Sequence, residues 1–413
     1  MKLDTISSEY LSLAFALEQH IEGFVDAYFG PDELRQAVKD AAPRPPQDLV
    51  GAIAELRRQV QAMKTNGDAG YPPRRVAYLE LQLRAMETTA RKLAGERPAY
   101  RDEVQLLFDI VPTQTPETVF EQAIADLDAT LPGSGPVAER METWKQQFEV
   151  APDTARRMID RIATEARRRT QARYRLPDSE AVTFDLVQDK PWSGYNWYLG
   201  HAHSRIEINT DLPVRADTLL DLVCHEGYPG HHTEHALKEQ ILYRERGWGE
   251  QAIQLINTPE CVISEGIATL AADVIFGDEA AAWAAAEVYP LGAIKGDPEQ
   301  EGRIAAARRL LRALSGNAAL LLYEQNADPE EVVRYIMRYG LRTEREARQQ
   351  LRFIQAPLWR AYVFTYHAGR DLLKRWIDRG DKQERFRTLL TEQVYPSLIE
   401  QWVLEEDKHC LSN

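Results

Sequence analysis

Histidines concentrated in one short stretch are the residues of this chain most able to do chemistry. Six of the nine histidines lie between residues 201 and 235, with several carboxylates nearby. These six are His201, His203, His225, His231, His232 and His235. Imidazole and carboxylate groups held close together are the ligand set that zinc prefers. The sequence therefore predicts a zinc site within or beside this stretch.

The spacing of the histidines limits which of them can share a metal. His225–Glu226 followed by a histidine at i+4 would be the zincin arrangement, but that position holds Pro229. In a straight helix His231 lies about 9 Å, and His232 about 10.5 Å, along the axis from His225. Two zinc-bound nitrogens lie only about 3–4 Å apart. A straight helix therefore cannot supply this pair of ligands.

Pro229–Gly230 offers a way to break the helix. Proline removes a backbone donor, and glycine accepts unusual dihedral angles. Two residues looped out here would bring His231 to the place of an i+4 histidine, so we favour His231 over His232 as the second ligand. A rival arrangement pairs His231 with His235, which are themselves i,i+4.

A third ligand and a base complete the predicted site. Residues 264–272 indicate a second helix, and Glu265 on it lies 40 residues after His225. A carboxylate from a later helix is the usual partner of two zinc-bound histidines. We therefore predict His225, His231 and Glu265 as metal ligands, a fourth position open to water, and Glu226 as general base.

Three segments in order carry a resemblance to a known family. Residues 225–232 resemble the H-E-x-x-P-G-H-H signature of a bacterial family called domain of unknown function 885, whose members are regarded as metallopeptidase-like. Residues 265–268 resemble its E-G-W-A helix, and residues 365–369 its S-Y-x-x-G segment. The matched order covers about residues 190–375. From the residues alone Tyr366 could equally be a core aromatic, whereas the resemblance implies that it donates a hydrogen bond to the oxyanion formed during hydrolysis.

The chain also departs from that family pattern. Ile267, Leu270 and Ala272 replace a Trp, a Tyr and a Glu of its E-G-W-A-L-Y-A-E segment, and its D-T-G-L-H segment has no clear match. These differences concern the expected substrate pocket and leave the expected metal ligands in place.

Several neighbouring residues are better explained without a direct role. We expect His201, His203 and His235 at the surface or around the site, and His232 as a polar contact or a substrate-facing group. Cys224 fits a small buried residue better than a ligand. Arg370 could bind a substrate carboxylate, but an ion pair on a helix surface is the preferred interpretation.

Helical periodicity dominates the elements that must hold these residues. The pattern predicts helices over 4–28, 32–40, 48–64, 74–95, 137–148 and 153–173, a further helix between 115 and 131, and a mainly helical chain from 217 to the end. Alternating residues at 181–187 and 204–209 predict strands. The predicted fold class is a mainly α, helical zincin-like metallohydrolase with a small central β-sheet next to the metal helix.

Composition limits the function classes. The 413 residues carry 50 Lys+Arg against 64 Asp+Glu, a net charge of −14, which disfavours nucleic acid as a partner. No apolar run is long enough to span a bilayer, so no membrane role is expected. Three cysteines are too few for a disulfide framework, which favours a reducing, cytoplasmic location. The sequence gives no oligomeric state.

The predicted function follows from the site. We expect a zinc-dependent (Zn²⁺) hydrolase, foremost a metallopeptidase acting on short peptides, with an N-terminal helical region (1–178) and a metal-binding region (179–413) forming one integrated unit. One alternative is a metal-dependent hydrolase of a non-peptide amide or ester. The other is a non-enzymatic protein with a structural metal, which Glu226 argues against because a structural site needs no base.

Overall fold

Helices make up 67% of the chain, which confirms the mainly α prediction. The computed structural model describes residues 3–66, 70–190 and 192–412, and the side chains of 65, 66 and 409–412 lie outside the description. Within these ranges none of the helices combines the length and apolarity needed to cross a membrane.

The helices follow one another along nearly the whole sequence. In chain order they are α1 (Thr5–Glu18), α2 (Asp32–Asp40), α3 (Pro46–Asn66), α4 (Pro73–Leu93), α5 (Tyr100–Phe108), α6 (Glu117–Thr130), α7 (Val137–Gln146), α8 (Pro152–Gln171), α9 (Ala216–Glu226), α10 (His231–Lys238), α11 (Pro259–Ile275), α12 (Ala280–Glu287), α13 (Pro298–Leu310), α14 (Leu314–Tyr323), α15 (Pro329–Gly340), α16 (Glu344–Gln355), α17 (Thr365–Ile377), α18 (Lys382–Thr391) and α19 (Pro396–Ser412).

Three small sheets lie among the helices. Their strands are β1 (Val25–Tyr28), β2 (Glu149–Val150), β3 (Ala181–Val187), β4 (Gly194–Gly200), β5 (His203–Asn209), β6 (Val214–Arg215) and β7 (Ile253–Leu255). The largest sheet has the order β3-β5-β4, with β5 parallel to β3 and antiparallel to β4. The other two are the antiparallel pairs β1-β7 and β2-β6.

The three-stranded sheet packs against the helix that carries His225. The Asn196 side chain on β4 donates to the carbonyl of Glu226, 2.6 Å away. Phe184 on β3 and Ile206 on β5 approach Gly227, directly after α9. The predicted strands at 181–187 and 204–209 are confirmed, whereas β4 was not predicted because its Gly- and aromatic-rich sequence does not alternate clearly.

One predicted helix is wrong in its second half. The helix expected over 4–28 ends at Glu18, and β1 follows. Gly23 has a φ of +80°, which ends the helical path. β1 then pairs with β7, more than 220 residues later in the chain. Periodicity within a short window cannot detect a partner strand that far away.

Three large hydrophobic clusters hold most of the elements together. The first packs α8, α9, α11 and α17 with the largest sheet. The second joins α5 and α14–α16 with the segment before α17. The third packs α1, α3 and α4 against β7. Each cluster takes side chains from both sides of residue 179, and the domain boundary placed there stays a prediction.

Candidate metal centre

A break in the helix between the two predicted histidine ligands is the central feature of the site. α9 ends at Glu226 and α10 begins at His231, as the looped-out interpretation required. The Tyr228–Pro229 peptide bond is cis. A Cβ on Gly230 would lie 1.9 Å from the carbonyl oxygen of His225, so only glycine allows this close approach. The break turns the His231 ring toward His225.

The structure brings His225, His231 and Glu265 together. One potential ligand atom from each lies within 4.8 Å of the others. The two imidazole rings meet edge to face with centroids 4.8 Å apart, and His225 Nε2 lies 3.5 Å from Glu265 Oε2. Zinc bonds of about 2.1 Å put ligand atoms about 3–4 Å apart, so a small inward movement of these side chains would suit the ion.

Glu265 provides an independent test of whether a cation fits. Its Oε1 accepts a hydrogen bond from the Tyr362 hydroxyl at 2.9 Å. Its Oε2 is buried, faces the histidines and has no hydrogen-bond partner among the described residues. An unsatisfied buried carboxylate oxygen is costly unless a proton or a cation meets it. The residues present therefore fit a divalent metal, although they do not identify which one.

The protonation tendencies of the cluster agree with that fit. Burial, followed by the positive charges of His231 and Arg312, lowers the pKa of His225 well below its usual value. Burial also lowers the pKa of His231. Both imidazoles are therefore neutral near pH 7 and keep a lone pair for a metal. Burial raises the pKa of Glu265 to about 8 despite the hydrogen bond from Tyr362.

His231 is oriented by a chain of hydrogen bonds. Its Nδ1 lies 3.0 Å from Ser264 Oγ, and that hydroxyl donates to Glu234 Oε2 at 2.6 Å. Glu234 is held in turn by Lys238, 2.7 Å away, and Lys238 reaches Glu260 at 3.3 Å. Ser264 donates its single hydroxyl proton to Glu234, so it can only accept a hydrogen bond from His231. His231 must therefore donate through Nδ1. Its Nε2 is then the atom available to a metal.

Glu226 lies beside the cluster without joining it. Its side chain is 7% exposed and lines the same cleft, and its carboxylate makes no hydrogen bond or ion pair with the described residues. Gly194 of β4 lies directly against it. Burial raises its pKa to about 8, and the negative charges of Glu265 and Asp26 add to the effect. A carboxyl group with a raised pKa and no partner, next to a metal site, suits a residue that exchanges protons with a reacting water.

Tyr366 lines the cleft on α17. It is 38% exposed, and its ring packs edge to face on Tyr362 with centroids 5.6 Å apart. Desolvation of the hydroxyl within the cleft, followed by the charges of Glu265 and Glu226, raises the pKa of Tyr366 well above its usual value, so the phenol keeps its proton. Sequence reasoning missed Tyr362, which holds Glu265. Its position four residues before Tyr366 was the available signal, because such residues share a helix face.

His232 and His235 lie around the cluster and not in it. His232 is fully buried and points away from the cluster, with Nδ1 2.9 Å from Ser204 Oγ and Nε2 3.2 Å from Glu180. His235 is buried against the cleft, stacked on His231 with centroids 5.9 Å apart, and its Nδ1 faces the Gln254 amide. Neither belongs to the three-residue cluster.

The structure shows where His201, His203 and Arg370 lie. His201 and His203 are exposed. Arg370 donates to Asp273 and to the Thr269 carbonyl, each at 2.6 Å, so it forms the expected ion pair, but it is buried and not at a helix surface. Glu180, the partner of His232, was not identified from the sequence, because a single glutamate in the loop after a helix belongs to no recognisable motif.

The cleft over the cluster has a volume of about 1590 Å³. It exceeds the roughly 300–1,000 Å³ of pockets that enclose drug-sized molecules. Its lining includes a group of three aromatic side chains on and before β4, Trp192, Tyr195 and Trp197, with ring centroids 4.6–6.1 Å apart. Tyr195 donates to Asp26 of β1, which fixes this group beside the site. The cleft has room for an extended ligand of several residues.

The comparisons with known proteins concern the fold alone. No protein-family model and no curated protein matches the chain. The "putative lipoprotein from Colwellia psychrerythraea" has a TM-score of 0.54 at 17% identity, over 86% of this chain and 66% of that one. The "putative lipoprotein of unknown function from Shewanella oneidensis" has a TM-score of 0.51 at 12% identity, over 97% and 83%. The chain thus spans just under two thirds of the first protein's length.

A more distant solved structure is the "putative oligoendopeptidase F from Bacillus anthracis str. Ames". Its TM-score is 0.37 at 13% identity, over 96% of this chain and 69% of that one. A similarity this low carries no argument about this chain. The cytoplasmic location stays a prediction.

Proposed function

We propose that this chain is a zinc-dependent hydrolase, and that it acts as a peptidase on short peptides. The observation that carries the proposal is the meeting of His225, His231 and Glu265 beside a partner-free Glu226 in one cleft. Membership of the family known as domain of unknown function 885, and a zincin-like arrangement of the site, belong to the same proposal.

The metal would supply one part of the chemistry. Zinc held by His225, His231 and Glu265 would acidify a water molecule and polarise the scissile carbonyl. Three protein ligands leave a position for that water, which is typical of catalytic rather than structural zinc.

Side chains of this protein carry out the remaining steps. Glu226 takes a proton from the attacking water and passes it to the amine that leaves. The protonated phenol of Tyr366 donates a hydrogen bond to the carbonyl oxygen as negative charge develops there. Ser264 and Glu234 keep the His231 ring in the required tautomer. The cleft holds the peptide, and its bounded volume favours short substrates over folded proteins.

One pair of variants tests this proposal. Protein purified without added metal should contain about one zinc per chain by elemental analysis. The zinc-loaded wild type should cleave members of a synthetic short-peptide library, followed by mass spectrometry. Glu226→Gln should keep the zinc and lose about 10²–10⁴-fold in rate, because the base is removed and the ligands stay. Glu33→Gln, at an exposed site on α2, is the matched control.

Three results would contradict the proposal. Protein that contains no zinc and takes up none on titration has no metal centre of this kind. A Glu226→Gln variant that cleaves as fast as wild type shows that Glu226 is not the base, and loss of zinc in that variant shows that Glu226 is a ligand.

A further inference from the structure

Two arginines in the cleft lack partners. Arg309 lies near the end of α13, and Arg312 lies in the single 3₁₀ turn that follows it. Both side chains line the cleft, and both residues are exposed to it. Residues three apart on a continuous helical run share a face. Within the described ranges neither guanidinium has a hydrogen bond or an ion pair, whereas the chain as a whole carries a charge of −14.

Three neighbouring arginines of the cleft region already form ion pairs. Arg308 donates to Asp217 at 3.3 Å, and Arg215 donates to the same carboxylate at 3.1 Å. Arg370 is held by Asp273. Arg309 and Arg312 differ from these three arginines because neither has a carboxylate partner among the described residues, so both contribute unpaired positive charge to this part of the cleft.

The register between two helical segments places Arg312 near the metal cluster. Asp217, Asp221 and His225 are spaced by four on α9, and all three line the cleft. The ion pair between Arg308 and Asp217 fixes where the two segments meet. Four residues further along both segments, Arg312 stands opposite Asp221, one turn before His225. That turn corresponds to about 6 Å along the helix axis.

Electrostatic effects agree with this placement. The charge of Arg312 acts on His225 and on Asp221. Desolvation of the guanidinium within the cleft, ahead of the neighbouring charges, lowers the pKa of Arg312 itself. Arginine nevertheless stays charged in proteins, so a guanidinium in this position favours an incoming anion. Asp221 is within range of the charge but not within ion-pairing distance, and it leaves the guanidinium free to bind.

We propose that Arg312, assisted by Arg309, binds a carboxylate group of the substrate. The inference rests on the proposed peptidase function and names the substrate class, peptides with a carboxylate close to the scissile bond. A planar guanidinium matches a carboxylate through two parallel hydrogen bonds. An extended peptide advances about 3.5 Å per residue, so a carboxylate held one helix turn from His225 lies one or two residues from the bond cut. A free C-terminus and an acidic side chain both supply this group.

The experiment uses one library of short peptides in three forms. One form has a free C-terminus, one has a C-terminal amide, and one has the amide with an Asp one or two residues from each candidate bond. Cleavage rates of the zinc-loaded wild type are compared with those of Arg312→Gln, Arg309→Gln and Arg303→Gln. Arg303 is exposed on α13, lies outside the cleft lining and is the matched control.

The expected result is a preference of the wild type for one carboxylate-bearing form by about 10- to 100-fold in kcat/KM, the effect of one charge-assisted bidentate contact. Preference for the free C-terminus identifies the terminal carboxylate, and preference for the Asp form identifies a side chain. Arg312→Gln should abolish the preference mainly through KM, Arg309→Gln should reduce it, and Arg303→Gln should keep it.

A second measurement separates failure of this inference from failure of the proposed function. Binding of the same peptides to the zinc-loaded Glu226→Gln variant, with and without Arg312→Gln, is followed by tryptophan fluorescence.

The outcomes distinguish the two hypotheses. If all three forms are cleaved at equal rates, or if the preference survives Arg312→Gln, the arginine site is wrong and the peptidase function stands. If no peptide is cleaved, the peptidase function is wrong. If the acid and amide forms then also bind equally, the arginine site is wrong as well.

Discussion

His231 Nδ1 and Ser264 Oγ lie 3.0 Å apart, and this contact decides which nitrogen of the histidine can face a metal. Ser264 donates its only proton to Glu234, so it must accept from His231. The contact joins the first residue of α10 to α11, the helix that also carries Glu265. The same pair of helices thus supplies two candidate ligands and the group that orients one of them.

Replacing Ser264 tests the value of this orientation. Ser264→Ala removes the acceptor for His231 Nδ1–H and leaves all three candidate ligands in place. Zinc affinity should fall about 10–100-fold, as is usual when a partner of a metal-bound histidine is lost. Competition with a chromogenic chelator measures the affinity. Ser193→Ala, in the same cleft, is the control and should bind zinc like wild type. An unchanged affinity in Ser264→Ala would contradict the proposed orientation.

The two adjacent histidines should respond oppositely to replacement. His231→Ala should lose most of the zinc, because only His225 and Glu265 would remain. His232→Ala should keep the zinc but lower the free energy of unfolding by about 1–3 kcal/mol, since buried Glu180 and Ser204 lose a partner. Elemental analysis and urea unfolding measure the two effects. Zinc lost from the His232 variant and kept by the His231 variant would reverse the assignment.

A close contact between α11 and α17 sets the distance between Glu265 and Tyr362. A Cβ on Gly369 would lie 2.2 Å from the Val262 carbonyl oxygen. Gly369→Ala should therefore lower the free energy of unfolding by about 1–3 kcal/mol through overpacking, and should weaken zinc binding. Gly302→Ala on α13 meets no atom within 4 Å and should stabilise by about 0.5–1 kcal/mol. Denaturant unfolding of both variants checks this, and equal effects would contradict the tight crossing.

The buried Glu180 should make stability depend on acidic pH. Burial alone would raise its pKa, but hydrogen bonds from His232, Tyr228 and Arg167 outweigh burial and lower it from 4.5 to about 2. A carboxyl with a lowered folded-state pKa stabilises fully above its unfolded pKa. The contribution is lost as the pH falls from about 4.5 to about 2. The difference in unfolding free energy between wild type and Glu180→Gln should shrink by on the order of 2–3 kcal/mol over that interval. Parallel pH profiles of the two proteins would refute this role.

The sequence alone was sufficient for the features that depend on local chemistry. Of the seven helices whose bounds were predicted from helical periodicity, six agree with the structure to within a few residues, and alternation predicted β3 and β5. The Pro229–Gly230 interruption predicted that the chain breaks between His225 and His231, because proline and glycine restrict the backbone in ways that do not depend on distant partners.

Tertiary structure decided what depends on residues far apart in the chain. β1 forms because β7 pairs with it, and the helix predicted there ends early. Tyr362 can donate a hydrogen bond to Glu265 only because Gly266 and Gly369 let α11 and α17 approach closely. Arg312 faces the cleft near His225 only because α9 and α13 meet at one ion pair. Hydrogen bonds and contacts across hundreds of residues leave no periodic signal in a short window, so only the folded chain determines them.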